Sequence, residues 1–102
     1  MTEAREIAEG LLYQGADEEI VYTLTTTNWG TAPSDVSVIA KDMSAGTVAT
    51  STVLSGTATV DGDVITLPTL KSLTAGHRYR VEVKFTAGGS VWETYAYVQG
   101  QE

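Results

Sequence analysis

The 102-residue chain has no cysteine, one histidine, two prolines and one phenylalanine. Without cysteine there are no disulfides, no thiol nucleophile and no thiolate metal site. A single histidine, His77, cannot fill a zinc site without cysteine partners. A nucleophile needs a base beside it, and His77, next to Gly76 at the mouth of a predicted strand, reads as a surface or turn residue instead. No apolar run approaches the roughly 20 residues needed to cross a bilayer. A secretory signal needs a positive start and then an apolar stretch, but Arg5 stands among Glu3, Glu6 and Glu9. These gaps predict a chain made in the cytoplasm, with no membrane span, no cofactor, no metal and no catalytic residue. Met1 and the polar ending Gln99–Glu102 read as a complete small gene product.

Other chemistries fail on inspection. Asp61 and Asp63 flank Gly62 in a spacing also found in calcium loops, but calcium takes about six to eight oxygens and a tight turn supplies few. Turn formation accounts for both aspartates. Glu18 and Glu19 are adjacent, so on a strand they point to opposite faces. Gly88-Gly89 lies between two strand patterns and not before a helix, so it is no phosphate cradle.

The charge is uneven. Of the net −7, Glu3, Glu6, Glu9, Asp17, Glu18 and Glu19 against Arg5 place −5 within the first nineteen residues. Such a surface repels phosphate, so nucleic acid is not an expected partner. Arg78, Arg80 and Lys84 make the one positive cluster, interrupted by Glu82.

Residues 1–17 read as an acidic N-terminal arm, and 18–102 as the folded domain. Ala4, Ile7 and Leu11 can share a helical face, but Gly10 and Gly15 each weaken a helix by about 1 kcal/mol relative to alanine. The arm is therefore expected to be mobile, taking a short helix or an added edge strand when docked, and its removal is expected to spare folding.

Beyond the arm the texture changes to threonine, valine and tyrosine with a period of two. Ile20, Tyr22 and Leu24 alternate with Val21, Thr23 and Thr25 in a long first strand, and Asn28, Gly30 and Pro33 punctuate the loop after it. Val36, Val38 and Ala40 share one face of a second strand, Asp35–Asp42. Thr47–Leu54 reads as a weak or edge strand, and Thr57–Val60 and Val64–Leu67 as a hairpin around Asp61-Gly62-Asp63, ended by Pro68. A connection through Leu70, Leu73 and Gly76 then crosses to the other sheet. Tyr79, Val81, Val83 and Phe85 alternate with Arg78, Arg80, Glu82 and Lys84, so one face is dry and one wet. After a turn at Ala87–Ser90 the chain returns with Trp92, Thr94, Ala96 and Val98 inward, because the opposite choice buries Glu93.

About seven strands with frequent turn signals and no helix predict an all-β, immunoglobulin-like or fibronectin-III-like antiparallel sandwich of two sheets. Tyr79, at the start of the penultimate strand, is the candidate for a tyrosine corner, whose hydroxyl bonds back to the preceding crossover. The outward set Arg78, Arg80, Lys84, Val91, Tyr95 and Tyr97 joins tyrosine with arginine, the residue types favoured at binding hot spots, and is the candidate interface.

Three stretches, YTLTTTNWGTAPSDVSV, STVLSGTATVDGDVITLPTLKSLTAGHRYRVEVKFTAGG and VWETYAYVQ, resemble small immunoglobulin-like structural proteins of tailed phages and prophages, of the fibre–tail adaptor type. The likeness covers residues 18–99 and rests on Asn28-Trp29, Val53-Leu54-Ser55-Gly56, Leu73-Thr74-Ala75-Gly76 and Tyr79–Val83. It implies a non-enzymatic virion component, made in the bacterial host cytoplasm, whose partners are head, tail or fibre proteins and which can be a homo-oligomer in the particle. It carries over no catalytic residue. The alternative is a carbohydrate- or surface-binding module, for which Trp29 near the first loop is the candidate platform.

Overall fold

Strand β9 (Arg78–Ala87) is the centre of the molecule, and its alternation decides where everything else goes. Tyr79, Val81, Val83, Phe85 and Ala87 are buried, whereas Arg78 and Lys84 are exposed. β10 (Ser90–Gln101) pairs antiparallel along its whole length, from Ser90 opposite Ala87 to Gln99 opposite Arg78. The two-residue turn Gly88-Gly89 has φ of 60° and 78°, the paired positive angles of a type I′ hairpin, which glycine adopts without strain. Trp92, Thr94, Ala96 and Val98 face the interior side as the alternation predicts, with Thr94 donating to the carbonyl of Val83 at 2.8 Å.

The computed structural model describes residues 4–27 and 29–102, and the side chains from residue 12 onward within them. Met1, Thr2, Glu3 and Asn28, and the helical face read for Ala4, Ile7 and Leu11, lie outside the described residues and side chains. The chain is 57% strand and 4% helix, an all-β arrangement. The largest sheet runs in the order β1 (Ala4–Gly15), β10, β9, β3 (Ser34–Asp42), β4 (Thr47–Val48). Facing it are β2 (Thr23–Thr25), β7 (Val64–Thr66) and β6 (Thr59–Asp61) in one small sheet, and β5 (Leu54–Ser55) with β8 (Thr69–Leu70) in another.

Several expectations need correction. The long first strand contracts to Thr23–Thr25, preceded by a lone bridge between Ile20 and Leu70. Thr23 pairs with Thr66 and Ile20 with Leu70, so three intervening residues on one strand face two on the other. Leu67 still donates to the Tyr22 carbonyl at 2.9 Å, so the surplus falls at Pro68, where proline has no N–H to offer, and it parts β7 from β8. Thr47–Leu54 is not one strand. The Thr50 hydroxyl accepts from the Ala40 N–H at 3.1 Å and occupies the place of a neighbouring backbone carbonyl. The β3–β4 ladder stops there, and a single helical turn, α1 (Thr50–Val53), carries the chain to the opposite layer with Val53 fully buried. Pairing is not wholly antiparallel either: β1 runs parallel to β10, with a register break between Glu6 and Leu11. The described residues thus contain ten strands where about seven were expected.

Ala4–Gly15 forms an edge strand of the main sheet, one of the forms allowed for the arm. Its last turn is tied down by Gln14, which is 1% exposed. The Gln14 amide donates to the carbonyls of Glu18 at 3.0 Å and Leu70 at 2.7 Å, and its oxygen accepts from the Tyr22 hydroxyl at 3.0 Å. A buried amide with these partners bridges the two layers at this edge and leaves no donor unused. Burial, and then the nearby Glu18 charge, raise the Tyr22 phenol above its ordinary value of 10.0, so it stays a neutral donor.

Candidate interaction face

Because β9 and β10 are antiparallel and in register, their outward residues form rows. Arg80 lies opposite Tyr97, Glu82 opposite Tyr95, Lys84 opposite Glu93 and Thr86 opposite Val91. The Arg80 guanidinium sits over the Tyr95 ring, 4.1 Å from its centroid, and Tyr97 meets Tyr95 edge-on at 5.5 Å and 72°. Arg80 Nε is 2.9 Å from Glu82 Oε2, at an angle that makes it an ion-pair contact and not a directed hydrogen bond. Lys41 Nζ reaches the same oxygen at 3.4 Å.

Of the six candidates, the fold brings Arg80, Tyr95 and Tyr97 into one cluster. Lys84 lies four residues beyond Arg80 along β9, at the rim of a concavity of about 240 Å³ lined also by Ser37, Ile39, Arg80, Glu82 and Glu93. Val91 and Arg78 stand at opposite ends of the hairpin, Val91 beside the turn and Arg78 opposite Gln99. What sequence reasoning missed is the share of β3: Lys41 pairs with Arg80, Ile39 with Glu82 and Ser37 with Lys84. The outward alternation of Ser37, Ile39 and Lys41 was visible, but their adjacency to β9 is a tertiary fact.

Four of the six cations, Lys41, Arg78, Arg80 and Lys84, stand on β3 and β9, against the outward Glu82 and Glu93 and Asp35 at the start of β3. Positive charge therefore predominates here on a chain of net −7. These partly exposed pairs contribute at most about 1 kcal/mol each to stability. Burying a side chain such as Phe85 or Ile65, both 0% exposed, contributes about 1.5–3 kcal/mol. The interior holds the layers together, and the charged face is free to serve something else.

Tyr79 is 1% exposed and its hydroxyl accepts from the Thr74 N–H at 2.8 Å, a bond across the turn that begins β9. Next to it His77 Nδ1 lies 2.8 Å from Asp42 Oδ2. Asp42 Oδ1 accepts from the N–H groups of Ser44 and Ala45, each at 3.0 Å, so one carboxylate caps the β3–β4 turn and holds His77. Burial opposes the charge on Asp42, but the His77 hydrogen bond, the Ala45 N–H, the His77 charge and the Ser44 N–H together lower its pKa below 3.8. Asp63, read from sequence as a turn residue, accepts from the Thr27 hydroxyl at 3.1 Å and the Ala32 N–H at 3.2 Å, pinning the loop before β3. Trp29 is half-buried and packs on Phe85 with ring centroids 6.1 Å apart, so it is not a free platform. Among the described residues no group of three or more His, Cys, Asp or Glu could hold a metal ion, and no helix is long and apolar enough to cross a membrane. Comparison with protein-family models, with curated proteins and with solved structures finds no match to this chain.

Proposed function

We propose that this chain is a non-enzymatic structural or adaptor protein of a phage or prophage virion, an immunoglobulin-like sandwich that works through protein–protein contacts. The observation that carries the contact role is the outer face of β3, β9 and β10, where Arg80, Tyr95 and Tyr97 form a stacked cluster flanked by Lys41 and Lys84. Rigid aromatics with arginine make strong anchors at little entropic cost, and a net-positive face on an acidic body steers an acidic partner toward one side. The sandwich assignment draws on strand order: β2-β7-β6 against β10-β9-β3-β4 corresponds to the B-E-D and G-F-C-C′ sheets of immunoglobulin domains. The virion setting draws on the resemblance of residues 18–99 to phage adaptor proteins, which implies head, tail or fibre components, or further copies of this chain in the particle, as partners.

The test is co-sedimentation with phage or prophage particles from the encoding host. Wild-type protein is expected in the particle fraction, and Arg80→Glu or Tyr95→Ala, each folded by circular dichroism, is expected to be lost from it. Protein absent from particles removes the virion role. Incorporation that both variants leave unchanged removes the sheet face.

A further inference from the structure

The fully buried residues fall into two clusters, linked by the partly buried Tyr22 and Val38. One gathers Tyr79, Val81, Val98, Leu70 and Val53, the other Phe85, Val83, Leu24, Ile65 and Leu67. The two large aromatics under β9, Tyr79 and Phe85, sit toward its opposite ends, with only Val81 and Val83 between them. Across from this stretch β10 presents Ala96, the smallest inward residue of that strand between Thr94 and Val98. On the facing layer the ladder is interrupted at Pro68, where the extra residue parts β7 from β8. Small side chains on one wall and a parted ladder on the other leave a gap between the layers that opens to solvent at one edge. A cavity of about 100 Å³ lies there, lined by Leu24, Leu67, Pro68, Val81, Val83 and Ala96 among others, with Leu12 of β1, Tyr22 just before β2 and Thr23 of β2 at its partly exposed margin.

The lining decides what can occupy this space. Water in a protein interior needs about two to four polar partners. Of the twelve lining residues only Tyr22 and Thr23 carry polar side-chain atoms, and the Tyr22 hydroxyl is already donated to Gln14. Apolar cavities of roughly 150 Å³ stay dry and take up benzene or xenon. We infer that the space between the sheets, beneath the Pro68 break and against Ala96, is a binding site for one small nonpolar molecule, of the size of xenon or a short alkane. The inference stands on the packing of this domain and is independent of the virion role. A bound guest touches both clusters at once, so it joins the two halves of the interior and stabilises the folded state by mass action.

The probe is xenon, applied under pressure to the full chain and followed by ¹³C methyl spectra. The expected result is saturable shifts at the methyls of Leu24, Leu67, Val81, Val83 and Val98, with Val36, Val53 and Val91, which do not line the cavity, unmoved. Absence of shifts, or shifts that rise linearly with pressure over all methyls alike, overturns the site. A second variant places it: Ala96→Val fills the space, and is expected to raise the thermal midpoint and weaken xenon binding at least tenfold. A folded Ala96→Val protein that binds xenon as the wild type does refutes the location, and should that variant not fold, the wild-type titration alone decides.

Discussion

His77 Nδ1 and Asp42 Oδ2 are 2.8 Å apart, joining the end of β3 to the residue just before β9. The folded-state pKa of Asp42 is depressed, so its contribution to stability is present above the ordinary value of 3.8 and is lost as pH falls below that value through the folded pKa. Acid unfolding of the wild type is therefore expected to steepen below about pH 4, and Asp42→Asn is expected to flatten that limb. At neutral pH the same substitution should cost about 1–3 kcal/mol, because it weakens charge-assisted bonds to two turn N–H groups and to His77. Urea unfolding of both proteins across pH 2–7 measures both effects, and identical acid limbs would refute the account.

Tyr79→Phe keeps the buried ring and removes only the acceptor for the Thr74 N–H. The expected loss is about 1 kcal/mol, near the net worth of one hydrogen bond, with faster hydrogen exchange at the Thr74 amide. A loss smaller than the error of a urea titration, with an unchanged Thr74 amide, would show that the ring and not its hydroxyl matters.

Gln14→Ala takes away the acceptor of the Tyr22 hydroxyl and one of the two donors to the Leu70 carbonyl, which keeps the Ile20 N–H, at the seam between the layers. A destabilisation of about 2–3 kcal/mol is expected, and Tyr22→Phe combined with it should cost less than the two single losses added, since they share one bond. Deleting residues 2–16 removes this bridge together with the β1 pairing and is expected to lower the thermal midpoint, contrary to the expectation from sequence that the arm is dispensable. A double-mutant cycle and calorimetry of the truncated chain provide the measurements.

Gly30 sits against the β9–β10 turn, where a Cβ would come within 2.6 Å of the Gly88 nitrogen. Gly30→Ala must push the loop before β3 off the hairpin, at a cost of about 1–3 kcal/mol. The displacement should appear as amide shifts at Gly88 and Gly89, and unchanged shifts there would count against the contact.

The strands that alternate strictly were legible residue by residue. Tyr79, Val81, Val83 and Phe85 are inward and Arg78 and Lys84 outward, because a period of two leaves a half-buried strand no other choice. The Gly88-Gly89 hairpin and the inward choice for Trp92, Thr94, Ala96 and Val98 followed from the same rule. Less was legible where a strand's fate depends on a neighbour: Thr47–Leu54 has strand composition, yet the Thr50 hydroxyl satisfies Ala40 and ends the ladder. The candidate face was half visible, since its tyrosines and arginines could be assigned to one side of two strands, while the contribution of Ser37, Ile39 and Lys41 awaited the β3–β9 pairing.

From the sequence alone come the β-rich class, the dry and wet faces of β3, β9 and β10, and the excess of acid at the start of the chain, because local periodicity and composition need no knowledge of partners. Only the tertiary structure decides that Ala4–Gly15 pairs parallel to β10, that Gln14, Asp42 and Asp63 hold elements together, and that the interior keeps a gap beneath Pro68. Each of these depends on which distant backbone groups and volumes come face to face, and such pairings leave no periodic mark on the chain.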